Sequence, residues 1–355
     1  MRVLACHSPY GQGGIGQHFA HLVEETRHEG ALAYYCNAKP DPGDDAATGR
    51  RVTAAPFGWL HRWTPLRYST AWASHVKNEL FDRRVAAELD VPHERFMGFV
   101  GQSLHSFRRT RALGFDTLEL VAVNSHVDNV RRLHDRALQD WGVDGSWLNE
   151  AQRRKTLAEY EAADRIFVHS EYTRQSFLDA GIPTSKLERT YLRPAARFRP
   201  SDRRPDDGLF RVVYVGRVDV TKGLPLLLDA FASLPDPAEL TIVGGWPTRR
   251  MRRFLQPWIE GDSRIRIAPG DPLPLLQRAD VFVHPSYEDG FGYAPMEAMA
   301  CGVPVLVTED TGMKEYVTEG IDGYVIPTGD ASALQERLHH LRRHPLRPVP
   351  STPTA

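Results

Sequence analysis

Residues 281–307, VFVHPSYEDGFGYAPMEAMACGVPVLV, decide how the rest of the chain is read. Val281-Phe282-Val283 is a short apolar run of strand type. A loop with Glu288, Asp289 and the turn Gly290-Phe291-Gly292 follows it. Good helix formers run from Pro295 to Ala300, Gly302 closes them, and Val303 to Val307 is apolar again. Proline near a helix start and glycine just past its end match the asymmetry of helix termini. A strand, a glycine turn and a helix N-terminus gather free amides and the positive end of a dipole at one point, which makes an anion site. Asp289 and Glu297, eight positions apart, are placed to accept hydrogen bonds from a polyhydroxylated ligand whose phosphates lie on those amides. The combination points to a sugar nucleotide.

Upstream, the strand-like run Phe210 to Val215 leads into Gly216-Arg217, then Lys222-Gly223 and a helix to about Ser233. Arg217 and Lys222 thus sit as two cations near a helix start, where the dipole disfavours them unless an anion is bound. A departing diphosphate is such an anion, and fixed cations lower the barrier to its departure. Paired acids also occur in metal sites and glycosidases. No ligand spacing around Asp289 and Glu297 builds a coordination set, and water-driven hydrolysis does not need the diphosphate cations. No nucleophile elbow is present.

The N-terminal half repeats the plan of strand, glycine turn and helix. Residues 2–8 are apolar, and Gly11-Gln12-Gly13-Gly14-Ile15-Gly16 opens a helix to about His28. The glycines at 11, 13 and 16 spell a dinucleotide fingerprint. The acid that fingerprint needs after the second strand is missing, since Asn37-Ala38-Lys39-Pro40 stands there. This weakens a dehydrogenase reading and leaves a glycine loop that lets a ligand approach the backbone closely. Strands are expected at 95–100 and 118–123, and His126 follows the second of them, where open α/β sheets bind ligands. His105 is a rival at the preceding strand end, and segment 41–68 reads as loops around a short strand near Val52.

Composition sets the frame. At 355 residues, 41% hydrophobic and 25% charged, the chain is an ordinary globular protein long enough for two domains. A formal net charge of -1 gives no general attraction to nucleic acid. Basic clusters at 108–111 and 249–253 leave room for a peripheral membrane contact. No apolar run reaches the roughly 18 residues of a spanning helix. Cys6, Cys36 and Cys301 lack metal spacing and read as buried thiols in a reducing cytoplasm. Strands alternating with helices in both halves argue an α/β protein of two doubly wound domains. The charged, proline-rich stretch 199–208 is the linker candidate. We therefore expect domains over 1–200 and 208–344, with a disordered tail over 345–355.

PSYEDGFGYAPMEAMACGVPV, with GRVDVTKG upstream, GQGGIG near the start, His126 after a strand and AADRIFVHSEYTRQSFLDAGIP, resembles the retaining glycosyltransferases of family four. The resemblance implies the GT-B fold, two Rossmann-like domains facing a cleft, with the donor on the second domain and the acceptor on the first. It implies that Arg217 and Lys222 hold the donor diphosphate and that Glu297 takes the ribose hydroxyls. Amides of Gly290, Phe291 and Gly292 would meet the donor sugar, the loop at Gly13 and Gly14 would approach the phosphate, and His126 would lie near the reacting carbon. The family's first acid is usually Glu; here that position is Asp289, with Glu288 one place earlier, and either can serve. The expected activity is a retaining, metal-independent transfer from a nucleoside-diphosphate sugar, with no cofactor, to the hydroxyl of a glycan, a lipid-linked sugar or a small molecule. The alternatives are a sugar-nucleotide epimerase of the same architecture and a non-catalytic nucleotide-sugar-binding protein.

Overall fold

The computed structural model describes residues 1–201 and 205–346. Part of the expected linker (202–204) and most of the expected tail (347–355) lie outside the described residues. Two compact units are present. The first comprises Met1–Asp128, Ser146–His169 and Thr173–Thr190; the second comprises Asn129–Gly145, Ser170–Tyr172 and the chain from Tyr191 on.

The first unit is built on a parallel sheet of β1 (Arg2–Cys6), β2 (Leu32–Asn37), β3 (Gly49–Arg51), β4 (Arg95–Phe99), β5 (Thr117–Val121), β6 (Arg165–Val168) and β7 (Leu187–Arg189). Their order across the sheet is β3-β2-β1-β4-β5-β6-β7. The inner strands are largely apolar on both sides because helices cover both faces, whereas the edge strands Gly49–Arg51 and Leu187–Arg189 are polar and partly exposed. Val3 and Ala5 enter one core while Leu4 and Cys6 enter the other, as the period of two requires. The segment expected as loops holds a helix, Phe57–Trp63, and a 3₁₀ turn, Pro65–Tyr68. That helix is short and buries none of its residues fully, so it left little periodicity to read.

The second unit repeats the plan with β8 (Phe210–Val215), β9 (Ala238–Val243), β10 (Ile265–Ile267), β11 (Val281–His284), β12 (Val305–Thr308) and β13 (Gly323–Ile326). The order is β10-β9-β8-β11-β12-β13, all parallel. Val281 and Val283 face one core and Phe282 the other, with Met296, Met299 and Cys301. The last described helix, Ala331–Arg343, packs Leu334, Leu338 and Leu341 into this unit's own core, and Arg342 NH2 donates to Asp236 O at 2.7 Å. Helix Val127–Trp141 also contributes here: Tyr287 Oη donates to Asp140 Oδ2 at 2.6 Å and accepts from Trp141 Nε1 at 3.0 Å.

Each sheet reverses its strand order once, between β1 and β4 in the first and between β8 and β11 in the second. In open α/β sheets ligands bind where such a reversal opens a crevice beyond the carboxyl ends of the strands. The fold thus directs attention to the loops after β1, β4, β8 and β11.

Candidate functional site

The loop after β8, Gly216-Arg217-Val218-Asp219-Val220-Thr221-Lys222-Gly223, is pinned from inside. Val218 and Val220 are fully buried in the core, so the polar residues between them have fixed positions. Asp219 is also fully buried. Its Oδ1 accepts from Thr221 Oγ1 at 2.6 Å and from the Lys222 amide at 3.1 Å, and its Oδ2 lies 3.0 Å from Arg217 NH2. One internal acid therefore sets the shape of the loop and aims both cations. Gly223 has φ +68°, and a Cβ there would stand 1.8 Å from Pro285 O, so only glycine lets this loop close onto the one after β11. The Tyr287 amide completes that seam by donating to Thr221 O at 3.0 Å.

Lys222 Nζ donates to Asp289 Oδ2 at 2.9 Å and to Glu288 O at 3.1 Å. An ammonium has three donors, so one remains to face a ligand. Asp289 Oδ2 also lies 3.2 Å from His284 Nε2. Burial pushes the Asp289 carboxyl up, but the Lys222 ammonium and His284 outweigh it and hold the group well below the usual carboxylate range. Asp289 is thus the partner that positions Lys222. Glu288 is buried, its carbonyl taken by Lys222 and by Ser286 Oγ at 2.8 Å.

Beyond it the loop turns at Gly292 (φ +100°) into helix Tyr293–Ala300, two residues earlier than expected. The Phe291 ring is buried in the core, and Gly290 O accepts from Ser170 Oγ at 2.6 Å. Glu297, on this helix, is 5% exposed; burial, with the Glu297 charge added, pushes the Tyr293 hydroxyl up.

Arg217, Lys222, Glu288, Asp289, Gly290, Phe291, Gly292 and Glu297 all lie in the second unit, while Gly13, Gly14 and His126 lie in the first. Gly13 opens helix Gly13–His28 at φ +64°, and Gln12 before it makes no side-chain cap. His126 is buried between the rings of Tyr160 and Phe177, at 5.1 and 5.3 Å between centroids. Its Nδ1 accepts from the Asp128 amide at 3.3 Å, which leaves the proton on Nε2, and burial lowers its pKa. His105 is occupied: its Nε2 lies 2.5 Å from Glu79 Oε1. Glu79, Asp82 and His105 form a cluster of metal-ligand type, but Lys155 Nζ already sits 2.9 Å from Glu79 and 2.7 Å from Asp82.

Three groups around the candidate site escaped sequence reading. Asp219 had a signal, an acid between the two cations of RVDVTK. So did His284, which ends β11 as His126 follows β5. His134 had none. It comes from helix Val127–Trp141, and burial together with Arg217 and Lys222 brings its pKa down to about 3. Between that value and the ordinary one near 6.5 the unfolded chain binds the proton and the folded one does not. His134 therefore makes stability rise with pH across this window, by up to about 1.4 kcal/mol per pH unit. The measurement is urea unfolding from pH 4 to 7, in which His134→Gln should show a shallower rise than wild type; equal slopes would contradict the assignment.

Residues 198–346 match the family described as glycosyl transferases group 1. Over 127 residues the chain is 31% identical to the N,N'-diacetylbacillosaminyl-diphospho-undecaprenol alpha-1,3-N-acetylgalactosaminyltransferase of Campylobacter jejuni subsp. jejuni, a match covering 36% of this chain and 34% of that protein. The chain thus spans about a third of that relative. Among solved structures it resembles sucrose-phosphate synthase from Thermosynechococcus elongatus, with a TM-score of 0.74 at 21% identity over 97% of this chain and 90% of that one. It also resembles Anabaena Alr3699/HepE in complex with UDP and glucose, with a TM-score of 0.65 at 16% identity over 97% and 90%. Residues 198–346 therefore match the group 1 glycosyl transferases, in a chain of GT-B fold.

Proposed function

We propose that this protein is a retaining, metal-independent glycosyltransferase that moves a sugar from a nucleoside-diphosphate sugar to an acceptor hydroxyl. The observation that carries the reading is the pair of cations, Arg217 and Lys222, set by one buried acid on the loop after β8, at the reversal point of the second sheet. Breaking the bond between the anomeric carbon and the diphosphate puts negative charge on the leaving oxygen. Arg217 and the spare donor of Lys222 stabilise that charge as it forms. The acceptor hydroxyl attacks from the face the diphosphate leaves, and a leaving phosphate oxygen takes its proton. In this scheme Glu297 accepts from the ribose hydroxyls, the amides of Gly290 and Gly292 meet the donor sugar, and the Gly13-Gly14 turn approaches the phosphate. Because HepE is named as a complex with UDP, uridine is the first base to test.

His126 contributes through Nε2–H, the proton its Asp128 bond leaves available, as a neutral donor to the sugar. His126→Ala is expected to lower kcat by about 100-fold while leaving nucleotide affinity within about twofold, read from steady-state kinetics and calorimetry. The test of the whole reading is a panel of sugar nucleotides with candidate acceptors, in buffer containing EDTA. It should show nucleoside diphosphate release that depends on acceptor, and a product whose anomeric proton keeps the donor's configuration. Inversion, a need for divalent metal, or donor turnover without acceptor would each overturn it.

A further inference from the structure

The contacts that fix Lys222 do not end at Asp289. Asp289 Oδ2 meets two donors, Lys222 Nζ at 2.9 Å and His284 Nε2 at 3.2 Å. Its Oδ1 accepts from the Phe291 amide in a long bond of 3.4 Å. The main chain at this position is held separately by the loop after β12: the Asp289 amide donates to Asp310 O at 3.2 Å, and its carbonyl accepts from the Gly312 amide at 2.9 Å. The backbone is therefore fixed, and the turn of the carboxylate is left to the donors on its oxygens.

Those donors differ in stiffness. Lys222 reaches Asp289 on a flexible four-carbon stem, and its side chain is 20% exposed. His284 is a flat ring on a short stem, with its side chain 6% exposed. It ends β11 and stacks on Phe282, two residues back on the same face of the strand, with 6.5 Å between centroids and 16° between planes. The rigid partner sets the carboxylate, and the carboxylate sets the lysine.

The chemistry of the ring agrees. An ionised carboxylate only accepts, so the hydrogen in the bond to Asp289 is on Nε2 and Nδ1 keeps a lone pair. That Nδ1 is buried and has no hydrogen-bond partner among the described residues. A buried acceptor without a donor is unfavourable, and an aliphatic side chain would avoid it. Val281, Phe282 and Val283 fill the rest of the strand with apolar groups, and the polar residue stands where the strand meets Asp289.

We propose that His284 is a positioning residue for the transfer: its Nε2–H holds the Asp289 carboxylate in the orientation that keeps Oδ2 on Lys222, and so keeps the ammonium aimed at the departing diphosphate. This rests on the transferase reading above and extends its donor machinery by one residue that touches no substrate atom.

The test compares His284→Leu, close in volume but without the donor, with His284→Gln, whose side-chain amide reaches about as far as Nε2. In proteins that melt cooperatively, His284→Leu should lower kcat by about 10- to 100-fold and His284→Gln should stay within about threefold of wild type, as expected for a displaced charge. The loss should vanish in an Asp289→Asn background. It should persist in full beside Arg217→Ala, because Arg217 is set by Asp219 instead. Equal impairment of the two variants, wild-type kcat in His284→Leu, or a loss that persists with Asp289→Asn overturns the proposal. NMR of the histidine ring nitrogens reads the same contact without turnover. The signal lost in His284→Gln should carry its proton on Nε2 and should shift in both Asp289→Asn and Lys222→Ala. A proton on Nδ1, or no shift in either variant, overturns the proposal as well. Absence of transfer by the wild type with every donor would instead count against the transferase reading, and the spectra would still decide this one.

Discussion

Replacing Lys222 with alanine should lower kcat by about 100- to 1,000-fold, the usual cost of removing one fixed donor from a site of developing negative charge. The structure explains why the loss should exceed that of a surface lysine. Lys222 is tied to Asp289 at 2.9 Å and to the Glu288 carbonyl at 3.1 Å, so on the proposed function its ammonium would meet the diphosphate already oriented. Removing it also strips Asp289 of its main counter-charge and leaves only His284 at 3.2 Å. Both side chains are about one-fifth exposed, so the stability cost is about 1–2 kcal/mol, below that of a fully buried pair. The pH dependence follows from the sign of the shift. The Asp289 carboxyl is held below its usual range, so its stabilising contribution is full above an ordinary Asp pKa of about 4 and is lost as pH falls below it. Lys222→Ala should lose this contribution already at neutral pH. A double-mutant cycle with Asp289→Asn checks the coupling: the two losses in kcat should fall well short of adding. Full additivity would mean that Asp289 acts on the substrate independently of Lys222.

Asp219→Asn should lower kcat/KM for the donor by about 100-fold and cost about 1–3 kcal/mol of stability, the range for disrupting a buried hydrogen-bonded polar group. Asp219 touches no ligand in this account; it is a positioning residue. Its two oxygens face donors on both sides, Thr221 Oγ1 and the Lys222 amide on one and the Arg217 guanidinium on the other. An asparagine can present oxygen to only one side and must turn its NH2 toward a donor on the other. Either orientation releases part of the loop. Urea unfolding gives the stability term, and kinetics at saturating acceptor give the donor term. Wild-type kcat/KM with normal stability would show that the cations do not depend on Asp219.

The parts of this site that lie close together in sequence were legible in it. GRVDVTKG and the stretch 281–307 each carry a strand, a turn and a helix start, and the structure returns them as β8 and β11 with the loops that follow. Apolar runs located the strands because both faces of each sheet are buried; the short Gly323–Ile326 strand, flanked by polar turns, was missed. What could not be read was long-range pairing. Tyr287 bonds Asp140 across 147 positions, and His134 feels the charges of Arg217 and Lys222 because residues 129–145 belong to the second unit. No local pattern encodes either. The engagement of Asp289 by Lys222 is of the same kind, spanning 67 positions. It gives Asp289, expected to accept from a polyhydroxylated ligand, a cation partner as well. Phe291 is similar: its backbone belongs to the glycine turn, but its ring belongs to the core, a division that the residue type alone does not reveal.

The central claim is that Arg217, Lys222 and Glu297 make the second unit a nucleoside-diphosphate site. Isothermal titration of the full chain with UDP, GDP, ADP and dTDP in EDTA tests it most directly. The account predicts saturable one-to-one binding of at least one of them, weakened tenfold or more by Lys222→Ala and by Glu297→Ala in proteins that melt cooperatively. Absence of binding by all four, or affinity unchanged in both variants, would contradict it.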